Sequence, residues 1–109
     1  MNNRVDIQSL ICEINKFVHE RGWEKHHTPR NIATSVAIES AELLEHFQWD
    51  DLSYDDIKND EEKLKAISHE LADVIIYLLR FIHNPDLDFE EIVREKIIEN
   101  GKKYPSEKC

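Results

Sequence analysis

Apolar residues recur three and four positions apart along almost all of this chain, and few residues interrupt the pattern. Only 2 Gly and 3 Pro occur among the 109 residues. Because this spacing places the apolar side chains on one side of an α-helix, it predicts an all-α fold. We find no internal repeat or linker, so we predict a single domain over residues 1–109. A domain of this size buries only about two-thirds of the surface that its unfolded chain exposes, which is compatible with oligomerisation.

Four helices are predicted, each with a recognisable start or end. They run from about Asp6 to Glu20, from Pro29 to Phe47, from roughly Glu61 to His83, and from near Phe89 to Gly101. Thr28 has the position of an N-cap before a proline, and Asp88 to Glu91 has the spacing of a capping box. The segments Trp23 to Thr28 and Gln48 to Asp60 are predicted loops, the second with one helical turn after Ser53. We therefore expect a four-helix bundle.

The third predicted helix carries more apolar surface than its place in a bundle needs. Ile76 and Tyr77 lie outside its main apolar stripe. A buried interface between copies of the chain would use such surplus surface, so we expect a homo-oligomer.

Composition excludes several classes of protein. With 14 Lys and Arg against 23 Asp and Glu, the net charge of −9 argues against a nucleic-acid partner, since binding to phosphate backbones needs a basic face. The longest apolar stretch, Leu71 to Ile82, is broken by Asp73 and Arg80 and is too short to span a membrane. Two cysteines, Cys12 and Cys109, make no disulfide framework, and no leader segment is recognised. We expect a reduced, cytoplasmic protein.

Two acidic doublets stand among aliphatic residues of neighbouring helices. Glu39 and Glu42 lie in the second predicted helix, and Glu70 and Asp73 lie in the third. Residues three apart project from one face of a helix, so each doublet presents two carboxylates together. Like charges crowded in a partly dry site are unfavourable unless a cation compensates them. Two such doublets facing each other would hold four carboxylates around one point, as the oxygen cage that Mg²⁺ or Mn²⁺ prefers.

Other interpretations of these acids stay open at this point. A single acidic doublet on a helix is usually a solvated edge, because Asp and Glu are rarely buried unpaired. Glu45 extends the first row by three residues and suits a surface acid, a general base or an outer support of the metal site. A di-iron bundle would carry Glu-x-x-His on two helices. Here that spacing occurs once, from Glu24 to His27, in a predicted loop.

Several residues outside the doublets suit nucleotide binding, although each has a simpler explanation. Lys96, Asn100 and Lys103 cluster near the end of the last helix, where cations are favourable whatever the function. The same cations would receive a polyphosphate on an otherwise acidic protein. Trp23 and Trp49 border loops, and aromatic rings there suit either loop anchoring or stacking on a base.

Taken together, these residues resemble the all-α nucleoside triphosphate pyrophosphohydrolases of the MazG superfamily, and within them the short MazG-like and dCTP pyrophosphatase branch. The resemblance runs from about Phe17 to Pro105. It rests on the segments Glu20-Arg-Gly-Trp-Glu24, His27-Thr-Pro-Arg-Asn31, Glu39-x-x-Glu42, Phe47-Gln-Trp49, Glu70-Leu-Ala-Asp-Val-Ile-Ile-Tyr77 and Lys96-x-x-x-Asn-x-x-Lys-Tyr-Pro105.

The resemblance implies a role for each of these segments. Glu39, Glu42, Glu70 and Asp73 would ligate Mg²⁺, with Mn²⁺ as a substitute, and these acids with Glu45 would be the catalytic set. The residues implied in substrate binding are Trp23, His26, His27, Asn31, Trp49, Tyr77, Lys96, Asn100 and Lys103. The resemblance also implies a dimer or a dimer of dimers.

The implied activity is Mg²⁺-dependent hydrolysis of a nucleoside triphosphate, expected to be a deoxynucleotide, to the monophosphate and pyrophosphate. Such an enzyme would clean the nucleotide pool of non-standard or excess nucleotides, with a dCTP-like preference as one option. A noncatalytic helical module that binds a nucleotide or a protein would show the same amphipathic stripes and is the alternative.

Overall fold

A computed structural model describes residues 6–106, and its regular structure there is entirely helical. It contains α1 (Ile7–Glu20), a 3-10 turn (Glu24–His26), α2 (Pro29–Glu45), α3 (Tyr54–Lys58), α4 (Glu61–His83) and α5 (Phe89–Lys103). The all-α prediction is confirmed. Within this part of the chain the prediction of four helices was incomplete, because the helical turn expected after Ser53 forms the separate helix α3. Cys109 lies outside the described residues.

Every α-helix begins at a side chain that accepts a hydrogen bond from the helix's first turn. Asp6 accepts from the Ser9 amide at 2.7 Å, Thr28 from Asn31 at 3.2 Å, Ser53 from Asp56 at 3.1 Å, Asp60 from Lys63 at 3.1 Å and Asp88 from Glu91 at 2.9 Å. These bonds satisfy amides that have no partner inside the helix. At α3 the Asp56 carboxylate also accepts from the Ser53 amide, which completes a capping box and lets so short a helix form.

Two predicted helix ends were displaced by two residues, for local reasons. α2 ends at Glu45 because the amides of His46 and Phe47 bond to carbonyls three residues back, which tightens the chain into a turn. α5 continues through Gly101 to Lys103, and the Tyr104 amide then donates to the Asn100 carbonyl at 2.7 Å.

The end of α1 is built around Gly22, which has a φ of 65°. The Trp23 amide donates to the Val18 carbonyl at 3.1 Å, and the Gly22 amide donates to the His19 carbonyl at 3.0 Å. This pair of bonds is the Schellman motif, which requires a left-handed residue after the helix. The Trp23 ring packs edge-on against Phe17 with centroids 5.7 Å apart, so the turn also fixes where the indole lies.

α4 is the central helix of the domain. It packs along α2 most extensively, and also against α1 and α3. The buried apolar residues come from three helices: Ile11 and Val18 of α1, Ile32 of α2, and Ile67 and Leu79 of α4. α5 has no packing of comparable extent with any helix in residues 6–106.

Much of the apolar surface of α4 remains exposed in the single chain. Leu64, Leu71, Ile75 and Leu78, which we call the α4 apolar stripe, are all exposed, with Ile75 at 51%. The radius of gyration is 17.0 Å, against about 13 Å for a compact domain of this length. The exposed apolar surface thus differs from the prediction: residues of the main stripe are exposed, and so is Ile76 at 39%, whereas Tyr77 is partly buried. None of the helices described is both long and apolar enough to cross a membrane.

Candidate metal and nucleotide site

Three of the four predicted metal ligands meet where α2 packs on α4. Glu39 of α2 and Glu70 and Asp73 of α4 each present a carboxylate oxygen, and the three oxygens lie within 4.8 Å of one another. The sequence placed these acids on single faces of two helices, and the packing of the helices brings the faces together. The cluster has the hard oxygen donors that Mg²⁺ and Mn²⁺ prefer.

The electrostatics of this cluster favour a bound cation. The pKa of Glu39 is raised from its ordinary value, first by partial removal from water and then by the charges of Glu42, Asp73 and Glu70. Within residues 6–106 no Lys or Arg forms an ion pair with these acids. The nearest basic group is His46, whose Nε2 lies 3.8 Å from a Glu70 oxygen. Crowded carboxylates with no Lys or Arg partner are a donor set that suits a divalent ion.

Neither Glu42 nor Glu45 of α2 belongs to this cluster of three acids. Glu42 is partly buried, and its charge contributes to the raised pKa of Glu39. Its oxygens are not among the three that lie within 4.8 Å of one another. Glu45 is exposed at the last position of α2. Their roles as ligand and as catalytic residue stay predictions.

An aromatic side chain, Tyr77, lies on the same face of α4 as Glu70 and Asp73. Tyr77 follows Asp73 by one helical turn, which places it about 6 Å further along the helix axis. The rings of Tyr77 and His27 lie with centroids 6.3 Å apart. His27 comes from the segment before α2, so α2 and α4 frame both the acids and this ring pair. Aromatic side chains thus lie about one helical turn from the acid cluster.

The segment that carries His26 and His27 is held by side-chain amides. Asn31 Nδ2 donates to the His26 carbonyl at 2.9 Å, and Asn84 Nδ2 donates to the His27 carbonyl at 3.5 Å. Asn31 therefore supports the backbone of the predicted binding segment. The His26 side chain is exposed, whereas His27 is partly buried.

The two tryptophans have different surroundings. Trp23 is anchored by Phe17, and the Arg21 guanidinium covers the Phe17 ring at 3.5 Å. Trp49 follows the end of α2 and is 85% exposed. An indole this exposed adds little to the stability of the single chain, so its ring is available for a ligand or a partner subunit.

Lys96, Asn100 and Lys103 are exposed on α5. Since α5 packs extensively with neither α2 nor α4, the single chain does not bring this cluster together with the acids. The role of these residues at the phosphates stays a prediction.

Sequence reasoning missed Arg80 and Asn15. Arg80 is 4% exposed; its Nε donates to His27 Nδ1 at 3.1 Å, and a terminal nitrogen donates to Asn15 Oδ1 at 2.6 Å. We treated Arg80 only as a break in an apolar stretch. Arg80 follows Asp73 by seven residues, which places both on one face of α4. This spacing could have pointed to Arg80 as a residue of the site.

Comparison with known proteins supports this fold. A model of the MazG-like family matches residues 34–109, and the protein belongs to that family. The crystal structure of a pyrophosphatase from Archaeoglobus fulgidus is similar with a TM-score of 0.83 and 37% sequence identity, over 97% of this chain and 98% of that one.

Curated relatives carry the name dCTP pyrophosphatase 1. The mouse protein is 35% identical over 109 residues, covering 92% of this chain and 58% of the relative. The human protein is 34% identical over 110 residues, covering 93% and 58%. The chain thus spans little more than half the length of these relatives.

Proposed function

We propose that the protein hydrolyses nucleoside triphosphates at the bond between the α- and β-phosphates, giving the monophosphate and pyrophosphate. The observation that carries this proposal is the cluster of Glu39, Glu70 and Asp73, which forms no ion pair with a Lys or Arg of residues 6–106. The names of its relatives, dCTP pyrophosphatase and pyrophosphatase, support the same reaction.

The acids would act as the metal ligands, with Glu42 completing the set. When bound, Mg²⁺ neutralises charge on the phosphate oxygens and activates a water for attack. Mn²⁺ offers the same oxygen preference and is expected to substitute. An oxygen of Glu39 that does not bind the metal is a candidate to accept the proton of the attacking water. Glu45 is the other candidate for that role.

The nucleoside would lie toward Tyr77 and His27, with Trp23 and Trp49 supplying further aromatic surface. We infer a deoxynucleotide substrate from the relatives named for dCTP. A role in removing non-standard or excess nucleotides follows if the enzyme acts on free nucleotides. We infer a reduced, cytoplasmic setting, and no nucleic-acid or membrane partner.

We further propose that the active protein is a homodimer or homotetramer. The exposed α4 apolar stripe and the weakly packed α5 support this assembly, because a second copy would cover both. A neighbouring subunit would then also carry Lys96, Asn100 and Lys103 toward the phosphates.

The test is product analysis with a panel of standard and modified triphosphates in the presence of Mg²⁺ or Mn²⁺. We expect monophosphate and pyrophosphate in equal amounts, and loss of both in Asp73→Asn. Glu13→Gln, which changes an exposed acid of α1, is the matched control and should retain activity. Release of diphosphate and inorganic phosphate would contradict the proposed bond. Nucleotide binding with no turnover of any substrate would favour the noncatalytic module.

A further inference from the structure

Arg80 is a buried cation whose side chain donates hydrogen bonds to an imidazole and an amide and not to a carboxylate. It is the buried charged residue of the described chain, at 4% exposure. Its two side-chain hydrogen bonds go to His27 Nδ1 and Asn15 Oδ1. In residues 6–106 no carboxylate lies within ion-pair distance of it, although Glu24 acts on it from further away. Because an unpaired buried charge is unfavourable, an Arg at this position calls for an explanation beyond packing.

The direction of the hydrogen bond between Arg80 and His27 determines which nitrogen of the neutral imidazole carries the proton. An arginine Nε carries a hydrogen and has no lone pair to offer, so it is always the donor. His27 Nδ1 must therefore be the acceptor in the contact of 3.1 Å. A neutral imidazole that accepts at Nδ1 holds its proton at Nε2.

The second ring nitrogen of His27 is free to meet a ligand. Among the hydrogen bonds of residues 6–106, none involves Nε2 of His27. No buried side-chain nitrogen or oxygen of the described residues lacks a partner. Since His27 is a partly buried residue, its unpartnered Nε2 must reach solvent. This nitrogen lies on the side of the ring away from the Arg80 contact.

We propose that Arg80 is a positioning residue that holds His27 in the tautomer protonated at Nε2, so that His27 offers the nucleotide one fixed hydrogen-bond donor for an acceptor atom on its base or sugar. Asn15 of α1 fixes the guanidinium from the other side. That the ligand is a nucleotide rests on the function proposed above. The tautomer of His27 rests on the contact with Arg80.

The surroundings of His27 also favour its neutral form. Its pKa is lowered by burial, then by the positive charge of Arg80 and by His26. The Tyr77 ring faces His27 from α4, with centroids 6.3 Å apart. A second proton at Nδ1 would both displace the Arg80 bond and bring two cations together. The lowered pKa thus favours the neutral imidazole, which is the form that accepts the Arg80 hydrogen bond at Nδ1.

A nucleotide gains from this arrangement because the donor is set before binding. A free histidine divides itself between two tautomers, and a ligand that needs one of them must select it. The fixed donor also favours a nucleotide atom that accepts over one that donates, since two opposed donors leave both unsatisfied.

Nuclear magnetic resonance of the ¹⁵N-labelled full chain tests the tautomer directly. Long-range proton–nitrogen spectra distinguish the two neutral tautomers and the cation for each of the 6 histidines. The His27 signals are assigned by their absence in His27→Asn. We expect the Nε2-protonated form in the wild type and a mixed or Nδ1-protonated form in Arg80→Met. Arg94→Met, which removes an exposed arginine of α5, is the control and should leave His27 unchanged.

A second pair of variants tests the donor and does not depend on Arg80→Met folding. Gln at position 27 places an amide donor near the position of Nε2, whereas Asn reaches only the position of Nδ1. We expect His27→Asn to weaken binding of a nonhydrolysable deoxynucleotide triphosphate about three- to tenfold by calorimetry, and His27→Gln to recover part of the loss.

Three results would overturn the proposal: a His27 protonated at Nδ1 or charged near neutral pH, a tautomer unchanged in folded Arg80→Met, or equal binding by the wild type and both His27 variants. The spectra need no turnover. A protein that shows the expected tautomer and binds the nucleotide without hydrolysing it would therefore contradict the proposed function alone.

Discussion

Glu39 of α2 and Asp73 of α4 bring carboxylate oxygens within 4.8 Å of each other, although each belongs to a different helix. The pKa of Glu39 is raised by burial and by the charge of Asp73 among others, so the folded chain holds these groups close against their repulsion. The packing of α2 on α4 is what offsets that repulsion. A divalent cation bound between the acids would turn this unfavourable contact into a stabilising one.

Metal-dependent stability is the first prediction. Mg²⁺ binds the folded cluster and not the unfolded chain, so it should raise the melting temperature of the wild type. Glu39→Gln and Asp73→Asn each remove one charged ligand and should abolish most of that rise, with hydrolysis reduced about 100-fold or more. Thermal melts with and without Mg²⁺, before and after a chelator, measure the effect. Glu13→Gln should behave like the wild type. An equal rise in melting temperature with Mg²⁺ in all four proteins would contradict a metal site at these acids.

The pH dependence of the metal-free protein is the second prediction. The raised pKa of Glu39 in the folded state means that folding favours its protonated form. Its contribution to stability is fully present below the ordinary glutamate pKa and is lost as the pH rises through the folded value. Metal-free Glu39→Gln should therefore be more stable than the wild type near neutral pH, with the difference disappearing in acid. Urea unfolding at several pH values checks this, and a less stable metal-free variant at neutral pH would reverse the sign.

Glycine substitutions should have opposite effects at the two glycines. Gly22 has a φ of 65°, and a Cβ there would meet no atom within 4 Å, so the cost of Ala comes from backbone strain alone. We expect Gly22→Ala to lower the free energy of unfolding by about 1–2 kcal/mol. Gly101 lies inside α5 with equally open space, and Ala there should stabilise by about 0.5–1 kcal/mol. Denaturant unfolding compares the two, and the same sign at both positions would contradict the assignment of strain to Gly22.

The tryptophans should separate binding from stability. Trp49 is 85% exposed, so Trp49→Ala should change the free energy of unfolding by no more than about 0.5 kcal/mol while raising KM. Trp23 packs against Phe17, so Trp23→Ala should reduce stability as well. Unfolding curves and initial rates on the same preparations decide this. An unchanged KM in Trp49→Ala would contradict the prediction that Trp49 contacts the nucleotide.

Self-association is the last prediction. Ile75 is 51% exposed in the α4 apolar stripe, and a charge there would be buried in any interface that covers the stripe. We expect the wild type to sediment as a dimer or tetramer and Ile75→Glu to shift it toward the monomer. Tyr54→Glu, at the exposed start of α3, is the control and should keep the assembly. A monomeric wild type at micromolar concentration would contradict the proposed oligomer.

The helices were predictable because their signals are local. The bounds predicted for α4 match those of the structure, since Asp60 caps its start and Asn84-Pro85 stops it within a few residues. Hydrogen bonds within a few residues also set the end of α2, but the shift from four-residue to three-residue bonds after Glu45 leaves no mark in the apolar pattern.

By itself, the sequence determined that the chain is helical and that Glu39 and Glu42, and Glu70 and Asp73, share helix faces, because spacing along a helix sets those relationships. Only the tertiary structure decided that Glu39 meets Glu70 and Asp73 while Glu42 stays aside, and that Arg80 reaches back to His27. These contacts join residues far apart in the chain. They depend on how α2 and α1 lie against α4, which no periodicity within one helix records.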